Sequence, residues 1–295
     1  MAYLEINGLA KHYTGYALGP VNLQLDCGCA AALIGANGAG KSTLFRCLVG
    51  SVRRDGGTVS VAGQQADEQH VLWRQQLGYI GDFTPFFNDW TGHKNLRIRS
   101  QFYPAWQSHK AESIAERLQL DLNKKVKTYS TGQRTKLSIV CALAHSPALL
   151  LFDEPSNGLD PVARQTLLEL LFEEIEAGET ALLYATHHVS EVEGLADRLI
   201  FLNNGTVTLD AIKDDLTEKW RHLSFRSEQA IRSIPYATPQ KSELPYQQVI
   251  SEDYEASAAF LQQQGIHDIE ISRLSAEQIA VEILRNNANG ANHVS

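Results

Sequence analysis

Apolar and polar positions alternate along residues 3–6 and again along residues 21–25, which predicts two strands with one wet face, paired as an antiparallel ribbon. Residues 30–34 break that rhythm: they are continuously apolar, run into a glycine-rich turn, and are followed by a helix-forming stretch at 41–49 that Gly50 closes. The buried-strand signal returns at 149–152 and 181–185, with a leucine-rich helical stretch at 162–175 and a stop at Gly178 between them. Strand, helix, strand in this order predicts a parallel sheet covered by helices. Residues 91–144 carry no strand pattern but several helical ones, including 110–120 and 135–144. A helical subdomain, about 88–145, is therefore expected within the α/β core.

Two short strands at 199–202 and 206–209 bracket Asn203, Asn204 and Gly205, a hairpin that closes the first domain near residue 213. The texture then changes. Pro235, Pro239 and Pro245 lie in a polar stretch, followed by a strand at 248–251, a helix at 254–264 stopped by Gly265, and a strand at 268–273. Ser275 and Gln278 have capping-box spacing ahead of a last helix reaching Leu284. The reading is a catalytic domain at 1–213, an accessory α/β domain at 214–285, and a disordered polar tail at 286–295.

With 295 residues, 43% of them apolar, the chain can bury one large core and a small second one. Its formal charge of −8 argues against a surface built to neutralise nucleic-acid phosphates, so no nucleic-acid partner is expected. No signal-peptide pattern opens the sequence, which predicts a cytoplasmic chain. The longest apolar runs, 29–34 and 139–144, fall far short of the roughly 20 residues a membrane helix needs, so any membrane role must come through a partner. Cys27, Cys29, Cys47 and Cys141 match no zinc spacing and read as reduced thiols.

Chemistry concentrates in two places. Gly35-Ala36-Asn37-Gly38-Ala39-Gly40-Lys41-Ser42 fits the phosphate-loop pattern and sits between a predicted strand and a predicted helix. Its glycines let backbone N–H groups close round phosphates at the positive end of a helix. Lys41 would reach the outer phosphates, the Ser42 hydroxyl would ligate magnesium, and Thr43 would add a phosphate contact. The second place is residues 149–154, an apolar strand ending in Asp153 and Glu154 where strand ends of an open α/β sheet present groups to ligand. Asp153 can hold magnesium through water, and Glu154 can polarise the attacking water.

Further elements fall in the order of the ABC ATPase family. Tyr129-Ser130-Thr131-Gly132-Gln133 resembles the family signature Leu-Ser-Gly-Gly-Gln, with Tyr for Leu and Thr for the first Gly. Ser156-Asn157-Gly158-Leu159-Asp160 resembles its D-loop, and Thr186-His187 its switch histidine, with His188 the rival. The resemblance assigns adenine stacking to Tyr13, with Tyr16 competing, and γ-phosphate sensing to His187. Where the family has Gln after the strand at 77–80, this chain has Asp82; a carboxylate can approach magnesium but cannot donate an amide's hydrogen bonds.

The resemblance covers about residues 1–213 and implies a P-loop NTPase fold of the ABC ATPase type, binding ATP and Mg2+. It implies a head-to-tail homodimer in which Lys41 and its loop from one copy face Ser130, Thr131, Gly132, Gln133 and Asp160 of the other. It also implies a separate transmembrane permease, with this chain peripheral on the inner face of the cell membrane. The family receives a permease helix near residues 83–90, unusually aromatic here with Phe83, Phe86, Phe87 and Trp90; the competing reading is that these rings fill the subdomain's core. The last strand and helix, 268–284, resemble the tails of ATPase subunits serving exporters of drugs, peptide antibiotics or lipids. The alternatives are a soluble ABC ATPase acting on ribosomes or DNA, and a weakly hydrolysing regulatory cassette.

Overall fold

The computed structural model describes residues 2–67, 71–81, 85–231 and 233–290. Two compact units divide the chain, one of residues 1–187 with 194–210, the other of 188–193 with the chain from 211 onward. In the first unit, chain order runs β1 (Ala2–Tyr13), β2 (Tyr16–Asp26), β3 (Ala30–Ile34), α1 (Lys41–Leu48), β4 (Gly56–Val61), β5 (Gln64–Gln65), β6 (Leu77–Ile80), α2 (Gly92–Ser100), α3 (Ser108–Arg117), α4 (Thr131–Leu143), β7 (Leu149–Asp153), α5 (Pro161–Glu176), β8 (Ala181–Thr186), β9 (Arg198–Asn203) and β10 (Thr206–Ile212). The second adds α6 (Lys213–Lys219), β11 (Arg221–Arg226), β12 (Ala237–Glu243), β13 (Tyr246–Ser251), α7 (Tyr254–Gln263), β14 (Ile269–Arg273) and α8 (Ala276–Gly290).

A six-stranded sheet in the order β10-β9-β3-β8-β7-β6 forms the centre of the first unit, and β9, β3, β8, β7 and β6 run parallel. Every residue of β3, β7 and β8 is buried, which is why these segments read as unbroken apolar runs. The ribbon of β1 and β2 belongs to a second sheet, β2-β1-β4-β5, and its alternation follows from one face meeting the core. Leu4, Ile6, Leu23 and Leu25 from the ribbon, Leu44, Phe45 and Leu48 from α1, and Leu33, Leu151 and Leu183 from the central sheet make one buried cluster. That packing fixes α1, and with it the loop that opens it.

The helical insertion, α2 to α4, hangs on the sheet through α4 and β6. At the end of α4, His145 is 2% exposed, and its Nε2 donates to the carbonyl of Leu77 at the start of β6, 3.0 Å away. Burial pulls its pKa from the ordinary 6.5 down to about 4. Asn95 of α2, also buried, donates to the carbonyls of Phe87 and Thr91 and accepts from the Phe87 N–H, so one amide pins the aromatic loop.

In the second unit the antiparallel sheet β12-β13-β11-β14 packs Leu223, Phe225 and Val249 against Leu261 of α7. Two of its strands escape the hydrophobic pattern: β11 has mixed polarity, and β12 contains Pro239 within the stretch read only as polar. β12 is an edge strand, where a missing N–H is tolerated. The expected capping box is present, with Ser275 and Gln278 exchanging hydrogen bonds of 2.9 and 3.2 Å. The helix it opens corrects the tail expectation: α8 continues to Gly290, so 286–290 are helical, and 291–295 lie outside the described residues.

Because the unfolded chain protonates a histidine that the folded core keeps neutral, His145 lowers stability as pH falls from about 6.5 to about 4. The loss should approach about 3 kcal/mol. Urea titrations across that window should show this extra loss in the wild type and not in His145→Gln; parallel slopes would contradict it.

Candidate functional site

Parallel register brings the site together. Ile34 at the end of β3 pairs with Thr186 at the end of β8, and Asp153 at the end of β7 pairs with Ala185. The residues that follow, Gly35, Glu154 and His187, therefore leave the sheet at one level along its carboxyl edge, the edge where open α/β sheets hold ligands.

From Gly35 the chain turns into α1. A Cβ at Gly35 would press on the Leu202 carbonyl of β9, and one at Gly40 would collide with the Tyr16 hydroxyl. Gly38 and Gly40 take φ of 84° and 113°, backbone that side chains disfavour. Gly40 caps α1 without a side-chain hydrogen bond, so no side chain occupies the donors of the first turn. Residues 36–38 and 40–43 line one cleft of about 400 Å3 with Tyr16, Asp153 and Glu154. Lys41 is 6% exposed; its Nζ donates to the Gly35 carbonyl at 2.6 Å and stands 3.6 Å from Glu154 Oε1.

Glu154 occupies φ 50°, the left-handed region, with its N–H held by the Ala185 carbonyl at 3.0 Å. That conformation is uncommon for a residue with a side chain, and it turns the carboxylate out of the strand direction. His187 Nδ1 lies 3.0 and 2.9 Å from the two carboxylate oxygens, so Glu154 is held between an ammonium group and an imidazole. His187, not His188, makes this contact. The sequence places these residues near one another only through motif order; their hydrogen bonding depends on pairing across the sheet.

Ser130 is the N-cap of α4 in a full capping box with Gln133. Its Oγ accepts from Gln133 N–H at 3.2 Å, while Gln133 Oε1 accepts from Ser130 N–H at 3.0 Å. Ser130 and Thr131 are exposed. Gly132 is obligatory for a local reason: a Cβ there would run into the Gly158 carbonyl oxygen of the following acidic loop. Tyr129, in place of the usual Leu, is 6% exposed and its hydroxyl donates to the Asp121 carbonyl at 2.7 Å, so the larger ring is buried and satisfied. Asp160 caps α5 by accepting from Ala163 N–H at 2.8 Å, and Lys136 donates to its other oxygen at 3.2 Å. Both bonds hold its carboxyl below the usual range, the backbone bond more than Lys136. Residues 130–133 and Asp160 do not line the cleft that holds Lys41.

Tyr13 and Tyr16 face each other across the β1–β2 turn with ring centroids 6.4 Å apart. Tyr16 lines the cleft, its hydroxyl donating to the Ala39 carbonyl at 3.3 Å; Tyr13 is 47% exposed at the hairpin's end. Asp82 lies outside the described residues, as do Phe83 and Thr84. For a metal, the cleft offers the Ser42 hydroxyl and the Asp153 carboxylate, an all-oxygen pair suited to magnesium with phosphate oxygens completing the shell. Among the described residues, no three His, Cys, Asp or Glu side chains group into a metal cage.

Beside β6, a second cleft of about 450 Å3 is lined by Leu77, Phe86, Phe87, Phe102 and Tyr103. Phe87 and Trp90 are 55% and 38% exposed and stack at 4.4 Å, so these two rings do not fill the subdomain's core as one reading expected.

Comparison with known proteins gives the chain a family. The family model described as ABC transporter matches residues 18–157. An uncharacterized ABC transporter ATP-binding protein of Bacillus subtilis is 34% identical over 222 residues, covering 73% of this chain and 72% of that one. The daunorubicin/doxorubicin resistance ATP-binding protein of Streptomyces peucetius is 32% identical, covering 72% and 66%, and the lantibiotic transport ATP-binding protein of Streptococcus pyogenes 31%, covering 70% and 90%. A solved ATP-binding subunit of an ABC transporter superposes with a TM-score of 0.67 at 31% identity, over 73% of this chain and 92% of that one. A dimeric ATP-binding cassette bound to ADP and Pi, 22% identical with a TM-score of 0.63 over 71% of this chain and 98% of that one, shares the fold. With the phosphate loop, the paired acids and the histidine set along one sheet edge, and with relatives matching over nearly three quarters of its length, the chain belongs to the ATP-binding proteins of the ABC transporter family.

Proposed function

We propose that this ATP-hydrolysing subunit of an ABC transporter works as one half of a head-to-tail pair that drives export through a separate membrane-spanning permease. The observation that carries the reading is the meeting of Lys41, Glu154 and His187 beside the phosphate loop. Lys41 exchanges the Gly35 carbonyl for the outer phosphates of ATP, and the first-turn amides of α1 with Thr43 take the remaining oxygens. Ser42 and Asp153 hold magnesium, which when bound neutralises charge on the phosphates. Glu154 draws a proton of the attacking water toward itself, and His187 keeps that carboxylate aimed while sensing the γ-phosphate. Tyr13 stacks on adenine from the hairpin's end.

Because Ser130, Thr131, Gly132, Gln133 and Asp160 lie off this cleft, they serve the nucleotide of a second copy, where the start of α4 offers its amides to the γ-phosphate. With one motif set per chain the pair needs a second subunit, here a second copy, with a related ATPase the alternative. The cleft lined by Phe87, on which Trp90 stacks, receives the permease, and the chain then sits at the inner face of the membrane; among the described residues no helix is long and apolar enough to cross one. Export rather than import follows from relatives whose names are those of drug-resistance, lantibiotic-transport and Nod-factor-export proteins.

Glu154→Gln should lower ATP hydrolysis at least about a hundredfold and, with ATP and magnesium, give a dimer by light scattering. A rate near wild type would remove Glu154 from its role, and monomers alone would remove the pairing. Phe87→Ala with Trp90→Ala should abolish copurification of a multi-span protein from native membranes in mild detergent while ATP binding stays within about twofold of wild type. Retention of that protein by the double variant would contradict docking at this cleft.

A further inference from the structure

The second unit holds a cleft of about 590 Å3 between its sheet and α8. The sheet's two faces differ in kind. One packs against α7; on the other, strand register sets His222 between Ile250 and Ser272, and Ser224 beside Gln248. This second face is a floor of hydrogen-bonding groups, and α8 crosses it, with Asn286 donating to Thr238 of β12 at 3.3 Å.

From α8 the Glu282 carboxylate enters this cleft. The residue is 2% exposed and accepts no hydrogen bond among the described residues; its one cation is Arg285, 3.8 Å away and itself 65% exposed. A carboxylate enclosed this far has given up most of its water, and a solvated guanidinium beyond hydrogen-bond distance offsets only part of that cost, so the cleft is where a further cation would be favoured. Glu252 adds to the demand for positive charge: its pKa is raised, by burial first and then by the charge of Glu282.

The surrounding charges decide what kind of cation fits. A bare metal ion would want further acidic ligands, and no such cluster exists among the described residues. A polycation would be repelled by Arg273 and Arg285, which also line the cleft, and a simple anion would be repelled by Glu282 and by Glu277, the lining's second carboxylate. A molecule bearing both charges meets both requirements, since its ammonium would release Arg285 to join Arg273 on a carboxylate. Ile250 and Val281 give its remaining part an apolar wall, with the Gln240 and Gln248 amides beside it.

We propose that the C-terminal unit binds an amino-acid-like zwitterion in this cleft, its ammonium group on Glu282, its carboxylate on Arg273 and Arg285, and a neutral side chain against Ile250 and Val281. The assignment does not depend on the ATP site. Titration calorimetry on the full chain with L-leucine should give saturable binding, weakened at least about tenfold for 3-methylbutylamine and for 4-methylpentanoate, which keep the side chain with one charge each. Glu282→Gln should weaken L-leucine binding by a similar factor while leaving the thermal midpoint unchanged or higher, since it removes a buried, poorly compensated charge. No saturable binding of either L-leucine or L-glutamine at millimolar concentration would overturn the proposal, as would equal binding of the amine or unchanged affinity in Glu282→Gln. If Glu282→Gln and Arg285→Ala both lowered the midpoint, the ion pair within α8 would be the carboxylate's purpose and the proposal would fail.

Discussion

Chemistry in this chain depends on the register of three buried parallel strands. β3, β7 and β8 end in step, and because all their residues are enclosed, a slip would draw the polar groups at their carboxyl ends into the core. The loop after β3 then has one place to go, bounded by Leu202 behind Gly35 and by Tyr16 against Gly40. Lys41 comes within 3.6 Å of Glu154 from a distant part of the sequence, and Glu154 and His187 reach hydrogen-bond distance, because the sheet does the positioning. The side chains themselves are short of freedom rather than rich in partners.

How much of this was legible in the sequence follows from what each feature depends on. Lys41, Ser42, Asp153 and Glu154 announce themselves because they sit at the junctions of continuous apolar strands with polar turns, a local signal. β3 has the bounds expected of it because a fully buried strand has no competing periodicity, and β6 has them too although Tyr79 is only half-buried. β11 and β12 stayed hidden: one has mixed polarity and the other holds a proline that only an edge position excuses. α8 outran its expected end because Asn and Gly in its last turns read as breakers. The bond from His187 to Glu154, the pairing of Lys136 with Asp160 and the burial of Tyr129 with its hydroxyl on Asp121 are contacts between distant segments, and no spacing rule reports them.

Two residues that depart from the family pattern, Tyr129 and Thr131, are reconciled by packing. The ring at Tyr129 is accommodated where Gly92 leaves room, since a Cβ there would press on the phenol oxygen. Thr131 keeps its methyl group near Gly158, so the extra carbons lie along the acidic loop instead of blocking the exposed start of α4. Substitution at these positions has thus altered the support of the helix start more than the face it presents.

The close approach of Gly132 to Gly158 has a mechanical meaning. With no side chain between them, the opening of α4 and the loop that follows Glu154 pack backbone against backbone, so a displacement of one presses on the other. One is the surface a copy would lend to its neighbour's nucleotide, and the other adjoins its own acid. A protomer assembled this way would feel through its own backbone whether the site across the interface is full, and two sites wired by such rigid links would be expected to fire as a conversation rather than as independent clocks.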